Sequence, residues 1–221
     1  MLSVSSMNPH QGQPVLRGGA PVSKARVALV LIHGRGASAE DIYSLGEEVA
    51  VGAEAVALVA PRAAGNSWYP QRFLFPVEQN EPYLGSALSV IDGLVGDLAS
   101  QGIGQERVVL IGFSQGACLS LEFASRNPRR FGGVIGLSGA LIGPPGKPRQ
   151  PTLGLAGTPV YLGCSDRDAH IPLASVEESA AFLARQGAEV TKEIFPGMGH
   201  TVNGQELAFM RNLVGRLSGA L

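Results

Sequence analysis

The 221-residue chain is poor in charged residues and has no long apolar run. Charged residues make up 16% of it and the formal net charge is -1, so composition gives no basis for binding nucleic acid or an anionic membrane surface. No Lys or Arg precedes Arg17, which removes the basic start of a secretory signal, and no apolar run approaches the roughly 18 residues of a membrane helix. We therefore expect a cytoplasmic protein without membrane insertion.

Cysteine and histidine are also scarce, with 2 and 4 residues. Cys118 falls within a predicted helix and Cys164 at a predicted strand end, which is typical of small buried side chains rather than of a disulfide or a metal pair. The histidines are scattered, with no paired ligand spacing. The sequence therefore predicts no metal site and no cofactor.

Short β-branched runs alternate with helical patterns along most of the chain. Such alternation predicts one α/β domain, with a mainly parallel central sheet covered by helices on both faces. Residues 24–221 would form this domain. Residues 1–23 would form a polar N-terminal tail that is mobile at its start. Within the tail, residues 14–16 could add an edge strand to the sheet. The predicted strands cover residues 27–32, 55–60, 107–113, 133–137, 159–164 and 189–195, and the predicted helices cover residues 39–51, 83–101, 115–127, 173–186 and 203–217.

Two long connections interrupt the pattern. Residues 61–82 hold an aromatic concentration with Trp68, Tyr69 and Phe73, in a chain with only 6% aromatic residues. These side chains either pack on the core or form the wall of a substrate pocket. Residues 139–158 are rich in Pro and Gly and predict a surface loop. Neither connection has the pattern of an inserted helical cap, so we expect an open site without a separate cap domain.

The most informative motif is Gly112-Phe113-Ser114-Gln115-Gly116, which lies between a predicted strand and a predicted helix. A serine between flanking glycines at such a junction is typical of a nucleophile elbow. The glycines allow a strained turn and close approach of neighbouring chain segments. The alternative is a serine in an ordinary tight turn. This context favours Ser114 as a nucleophile.

A nucleophilic serine needs a base, and the positions of the four histidines limit the candidates for that base. His200 lies in a Gly-rich loop after the last predicted strand, as expected for the Ser, Asp, His chain order of α/β-hydrolases. His33 directly follows a strand and is predicted to be structural, whereas His170 is predicted to lie on the surface or at a pocket rim. His10, in the tail, is predicted to be solvated.

Two aspartates, Asp166 and Asp168, compete for the role of the orienting acid because both follow the strand at residues 159–164. Pro172 suits the first turn of the next helix and leaves Asp168 on the crest of the loop. Asp166 is close enough to the strand end to serve as a turn carboxylate. We favour Asp168 and retain Asp166 as the alternative.

Four segments in this order resemble the phospholipase/carboxylesterase group of α/β-hydrolases, which also holds the acyl-protein thioesterases. They are residues 31–36, 112–116, 168–172 and 197–201. The resemblance implies catalytic Ser114, Asp168 and His200, and an oxyanion hole formed by the backbone N–H groups of Arg35 and Gln115. Many relatives have an aliphatic residue where this chain has Arg35, which changes the pocket wall but keeps the backbone donor.

These features predict a serine carboxylesterase that acts on a small-molecule ester with a short-to-medium acyl chain. Trp68, Tyr69 and Phe73 are the candidate substrate-binding residues. A lysophospholipid or acyl thioester would use the same residues, and a non-catalytic ligand-binding protein is a third alternative. A dienelactone-hydrolase-like activity is disfavoured because it typically relies on a cysteine at the elbow, where this chain has Ser114. The sequence leaves a homodimer open.

Overall fold

The computed structural model describes residues 8–220, so the predicted mobile start of the tail, residues 1–7, lies outside the described residues. Seven strands form one sheet in the order β1-β3-β2-β4-β5-β6-β7. Strand β1 runs antiparallel to β3, and all other neighbours are parallel. The strands are β1 (Val15–Gly19), β2 (Val27–Ile32), β3 (Val56–Pro61), β4 (Val108–Phe113), β5 (Gly133–Leu137), β6 (Pro159–Ser165) and β7 (Glu189–Phe195). The helices are α1 (Ala39–Val49), α2 (Tyr83–Ser100), α3 (Gln115–Arg126), α4 (Leu173–Arg185) and α5 (Gly204–Ser218).

The sheet is covered on both faces, as the alternating pattern predicts. Every residue of β2 is buried, and successive side chains enter opposite layers: Val30 packs in one apolar cluster, Leu29 and Leu31 in the other. The first cluster includes residues of α2, α3 and α4, and the second includes residues of α1 and α5. A central parallel strand needs apolar side chains on both faces, which explains the continuous apolar run of β2.

Local signals set the start of two helices. Ser38 and Asp41 form a capping box at the start of α1: the Ser38 hydroxyl accepts the Asp41 N–H at 3.3 Å, and the Asp41 carboxylate accepts the Ser38 N–H at 2.7 Å. Asn203 and Glu206 form the equivalent pair at α5. Within residues 8–220, no helix is both long and apolar enough to cross a bilayer.

The N-terminal segment is integrated into the fold, and the prediction that His10 is solvated is wrong. His10 is 2% exposed. Its Nδ1 accepts the Ala64 N–H at 3.0 Å, which leaves Nε2 to donate to the Trp68 carbonyl at 2.9 Å. Burial lowers the pKa of His10, so the ring stays neutral. The partners of His10 are more than 50 residues away in the chain, so no local sequence pattern marks this contact.

The two long connections carry no separate cap in the described part of the chain. Residues 62–82 contain only short 3-10 turns at Ala64–Asn66 and Val77–Asn80. The loop after β5 is exposed in its middle, but its ends are buried. The buried Glu122 carboxylate on α3 holds this loop by accepting the Ile142 N–H at 2.9 Å and by pairing with Arg149 at 3.0 Å. The carboxyl edge of the sheet is therefore left open.

Candidate active site

Four loops meet at the carboxyl edge of the sheet because strands β2, β4, β6 and β7 are parallel. The loop after β2 carries Arg35, the turn after β4 carries Ser114, the loop after β6 carries Asp168, and the loop after β7 carries His200. Loops at this edge form the ligand sites of open α/β sheets. The topology thus brings four distant sequence motifs to one place.

Ser114 occupies a strained turn between β4 and α3. Its backbone angles are φ 54° and ψ -114°, outside the conformations that an L-residue adopts readily. A Cβ atom on Gly112 would lie 2.2 Å from the Gly116 carbonyl oxygen, and one on Gly116 would lie 2.0 Å from the carbonyl oxygen of Ile32. The two glycines of the motif are therefore required by close backbone approach, and the turn is a nucleophile elbow.

The His200 ring is oriented by Asp168. Nδ1 of His200 lies 2.7 Å from Oδ2 of Asp168, whose side chain is fully buried. The other carboxylate oxygen accepts the backbone N–H groups of His170 and Ile171 at 2.8 and 3.1 Å. Burial alone would raise the pKa of Asp168, but the hydrogen bonds from His200 and these two amides outweigh it and lower that pKa. Asp168 is thus an ionised acceptor, which fixes the proton on Nδ1 and leaves Nε2 free to act as a base.

Asp166 has a different role. Its Oδ1 accepts the Gly197 N–H at 2.8 Å and so ties the loop after β6 to the loop that carries His200. The structure therefore places Asp168, rather than Asp166, against the histidine ring, and gives Asp166 the turn-stabilising contact of the alternative interpretation.

Ser114 and His200 line the same cavity, which has a volume of about 300 Å³. Within the described residues no hydrogen bond joins the Ser114 hydroxyl to the ring, and such bonds often tighten only when substrate is present. The remaining lining residues are Gly34, Arg35, Ala37, Tyr69, Arg72, Phe73, Phe113, Gln115, Cys118, His170 and Ile171.

The backbone N–H groups of Arg35 and Gln115 are available at this cavity. Both residues line it, and neither amide donates to a carbonyl within residues 8–220. Gln115 is the first residue of α3, where the helix leaves its N–H groups without internal acceptors and favours negative charge. The residues of the two predicted oxyanion donors therefore line the same cavity as Ser114.

The side chains of the same two residues hold one short segment, Ser67 to Gln71. The Gln115 amide accepts the Trp68 N–H at 2.9 Å and donates to the Tyr69 carbonyl at 2.9 Å. The Arg35 guanidinium donates to the carbonyl of Pro70 at 3.0 Å, to that of Gln71 at 2.6 Å and to the Ser67 hydroxyl at 3.1 Å. The side chain of each predicted oxyanion donor is therefore anchored to this segment.

The prediction that Trp68 lines the substrate groove is wrong. The side chain is fully buried, its Nε1 donates to the His33 carbonyl at 2.9 Å, and it is absent from the cavity wall. A buried indole satisfies its N–H in this way, and here the bond ties Trp68 to the start of the loop that carries Arg35. Tyr69 and Phe73 do line the cavity. Composition alone could not separate the packed tryptophan from its lining neighbours.

The two other predicted histidine positions agree with the structure. His33 is buried; its Nε2 accepts the Ala63 N–H at 3.1 Å and its Nδ1 donates to the Gly34 carbonyl at 2.7 Å. Burial lowers the pKa of His33, so it is a neutral structural residue. His170 is exposed at the cavity rim, with its ring centroid 4.9 Å from that of His200.

Among the lining residues that sequence reasoning did not assign to the site are Arg72, Phe113, Cys118 and Ile171. Cys118 follows Ser114 by one helical turn, and this spacing could have placed it at the cavity floor. Burial raises the pKa of the Cys118 thiol to about 12, so it is not a competing nucleophile at neutral pH. Phe113 directly precedes Ser114 in the chain, and Ile171 follows Asp168 by three residues.

The doubly covered parallel sheet and the elbow at the end of β4 define an α/β-hydrolase. The sequence profile of the phospholipase/carboxylesterase family matches residues 19–217. The chain belongs to this family.

Solved and curated relatives agree with this assignment. The crystal structure of a phospholipase/carboxylesterase from Dyadobacter fermentans is 38% identical, with a TM-score of 0.86, and the match covers 95% of this chain and 99% of that one. Acyl-protein thioesterase 1 of Gibberella zeae is 33% identical over 60% of this chain, and the putative esterase NocK of Nocardia uniformis is 30% identical over 80%. The matches span 60% and 54% of the length of these two curated relatives.

Proposed function

We propose that the protein is a serine carboxylesterase that hydrolyses short-to-medium-chain acyl esters through an acyl-enzyme intermediate. The observation that carries the proposal is the 2.7 Å contact between His200 and the buried Asp168 at the cavity that also holds the strained Ser114. Nucleophile, base and orienting acid are the groups that acyl transfer needs.

In the acylation half-reaction, Nε2 of His200 removes the Ser114 proton as Oγ attacks the ester carbonyl carbon. The carbonyl oxygen becomes an oxyanion and accepts hydrogen bonds from the N–H groups of Arg35 and Gln115, each worth about 3 kcal/mol of barrier. Asp168 stabilises the imidazolium. The intermediate collapses when the bond to the alcohol oxygen breaks, and His200 passes its proton to that oxygen.

Deacylation repeats these steps with water. His200 removes a proton from a water molecule, the water oxygen attacks the acyl carbonyl, and the same backbone donors stabilise the second oxyanion. The bond to Ser114 Oγ then breaks, the serine recovers its proton from His200, and the carboxylic acid leaves. The net reaction is ester plus water to acid plus alcohol.

The size and lining of the cavity support a modest acyl chain. About 300 Å³ is available, and Tyr69, Phe73, Phe113 and Ile171 supply apolar side chains to the wall. Buried apolar area contributes roughly 25 cal/mol per Å², so an acyl chain that contacts these side chains gains affinity until it outgrows them. Longer chains would extend beyond the cavity into solvent.

An acyl thioester is the second candidate substrate, favoured by the similarity to an acyl-protein thioesterase. The same serine, histidine and backbone donors would serve it. Comparing kcat/KM for a butyryl thioester with that for p-nitrophenyl butyrate separates the two specificities.

Hydrolysis of p-nitrophenyl butyrate tests the proposal. The wild-type protein should release p-nitrophenolate with saturation kinetics, whereas Ser114→Ala should lose activity by a factor of about 10⁴ or more. Equal rates for the two proteins would refute it. The buried Ser120→Ala, one helix turn further from the elbow, is the matched control and should retain activity.

A further inference from the structure

The charged side chains that line the cavity at Ser114 are positive. Among the lining residues other than the two histidines, Arg35 and Arg72 carry charge at neutral pH, and no Asp or Glu lines the cavity. In the whole chain, by contrast, 18 acidic residues outnumber 17 basic ones. The Asp168 carboxylate is ionised, but its side chain is fully buried against His200 and does not line the cavity. The charged groups that a ligand meets in the cavity wall are therefore the two arginines.

Arg72 is the cation available to a ligand. Its side chain is exposed at the cavity and donates one hydrogen bond, from a terminal nitrogen to the His170 carbonyl at 3.2 Å. It forms no ion pair within residues 8–220. A guanidinium has five N–H donors, so most of the N–H groups of Arg72 are available to a ligand. The contact with His170, two residues after Asp168, holds the charge beside the reacting groups.

Arg35 adds charge but has less freedom to bind. Three of its N–H groups are taken by the segment from Ser67 to Gln71, none of them by a carboxylate. Its positive charge is thus held in place without being neutralised, and it adds to the potential that an anion meets in the cavity.

A second groove adjoins the first cavity and has no Arg or Lys among its lining residues. It has a volume of about 330 Å³, shares Gly34, Ala37, Phe113 and His200 with the first cavity, and is lined by the aliphatic side chains of Ile42, Leu45 and Val202. Its one acidic side chain, Asp41, is engaged in the α1 capping box. The two cavities therefore differ in charge, because arginines line only the first, and only the first favours an anionic group of a substrate.

We propose that the substrate is an ester that carries a carboxylate, with this group bound by Arg72 and an apolar remainder in the groove of Ile42, Leu45 and Val202. The inference rests on the proposed esterase function and specifies its substrate class. A carboxylate matches the planar guanidinium fork and can accept two N–H groups in a charge-assisted contact.

Two pairs of esters test this specificity, with charge as the intended difference within each pair. The acyl-side pair is p-nitrophenyl hydrogen adipate and its methyl ester. The alcohol-side pair is the butyrate ester of 4-hydroxyphenylacetate and that of 4-hydroxyphenylacetamide. For each pair the measured quantity is the ratio of kcat/KM for the anionic ester to that for the neutral ester, at low salt and at about 0.5 M NaCl.

In one pair the wild-type ratio should favour the anion about tenfold at low salt and fall toward one at high salt. Arg72→Met should bring the low-salt ratio close to one, and Arg72→Lys should keep part of the preference because it keeps the charge. Arg130→Met is the matched control, since Arg130 is exposed just before β5, at the opposite edge of the sheet, and should leave the ratio unchanged. Circular dichroism establishes that each variant is folded.

A wild-type ratio of one or less in both pairs would overturn the inference, as would a preference that survives Arg72→Met. If the neutral esters are hydrolysed in a Ser114-dependent way without any charge preference, only the inference about substrate class fails. If no ester of either pair is hydrolysed, the proposed function fails and this inference falls with it.

Discussion

At the scale of single residues, the structure separates two aspartates that are only two positions apart. Asp168 is buried against His200, whereas Asp166 accepts a backbone N–H from the loop that carries the histidine. Chain order alone could not decide between them, because both follow the same strand. What decides is the direction in which each side chain leaves the loop, which tertiary contacts set.

Replacing each aspartate by asparagine tests this separation. Asp168→Asn should lower kcat by a factor of about 10⁴, because a neutral amide neither fixes the Nδ1 proton nor stabilises the imidazolium. Asp166→Asn keeps an oxygen that can accept the Gly197 N–H and should reduce kcat by less than about tenfold. Steady-state kinetics with p-nitrophenyl butyrate measures both, and the reverse ranking would show that the acid is misassigned.

Arg35 offers a second test at this scale. Arg35→Met removes three hydrogen bonds to the segment that supports the oxyanion donors, so kcat for a neutral ester should fall about tenfold while KM changes much less. Arg35→Lys should recover part of kcat, since an ammonium group reaches fewer of these acceptors. An unchanged kcat in a folded Arg35→Met protein would show that the side chain does not position its own N–H.

At the scale of elements, the strand and helix positions were largely predictable from sequence. The β-branched runs and helical patterns gave boundaries for six strands and five helices that agree with the structure to within two residues. Contacts between elements were not predictable. The burial of Trp68 depends on His33 and Gln115, which are 35 and 47 residues away in the chain, so no local pattern reveals it.

The elbow glycines give a prediction for one element junction. Gly116→Ala should destabilise the protein by about 3 kcal/mol or more, because its Cβ would meet backbone atoms of β2 and the loop after it. Gly96→Ala is the contrasting change in α2, where a Cβ meets nothing within 4 Å, and it should stabilise by about 0.5–1 kcal/mol. Urea denaturation measures both, and equal effects would contradict the packing described for the elbow.

The start of α5 gives a prediction about pH. Glu206 is fully buried; Oε2 accepts the Asn203 N–H at 2.9 Å, and Oε1 has no partner within the described residues. Burial raises the pKa of Glu206 from 4.5 to about 7. The folded state therefore binds this proton more tightly than the unfolded state, so the contribution is stabilising below about pH 4.5 and is lost as the pH rises through 7.

Glu206→Gln should remove this dependence. Between about pH 4.5 and pH 8, the free energy of unfolding of the wild type should fall relative to that of the variant by on the order of 2–3 kcal/mol. Urea denaturation across this range provides the measurement, and the exposed Glu47→Gln, which should follow the wild type, provides the control. Parallel curves for wild type and Glu206→Gln would contradict the buried, proton-binding state.

At the scale of the whole molecule, the chemistry depends on a parallel sheet that gathers loops from four parts of the chain. The order of the motifs predicted that Ser114, Asp168 and His200 would meet, because parallel strands place their carboxyl ends at one edge. The cavity lining was less predictable, since Arg72 lies outside every motif and the motif that contains Ile171 does not show where its side chain packs. Sequence therefore indicates the proposed reaction better than it indicates the substrate.

The proposed reaction requires that Ser114 be the nucleophile that forms a covalent acyl-enzyme, with His200 as its base. Peptide mass spectrometry after treatment with a fluorophosphonate probe tests it most directly. We predict one modified peptide, with the probe on Ser114, no labelling of Ser114→Ala, and much slower labelling of His200→Ala. A wild-type protein that is not labelled, or that is labelled at another residue, would contradict the account.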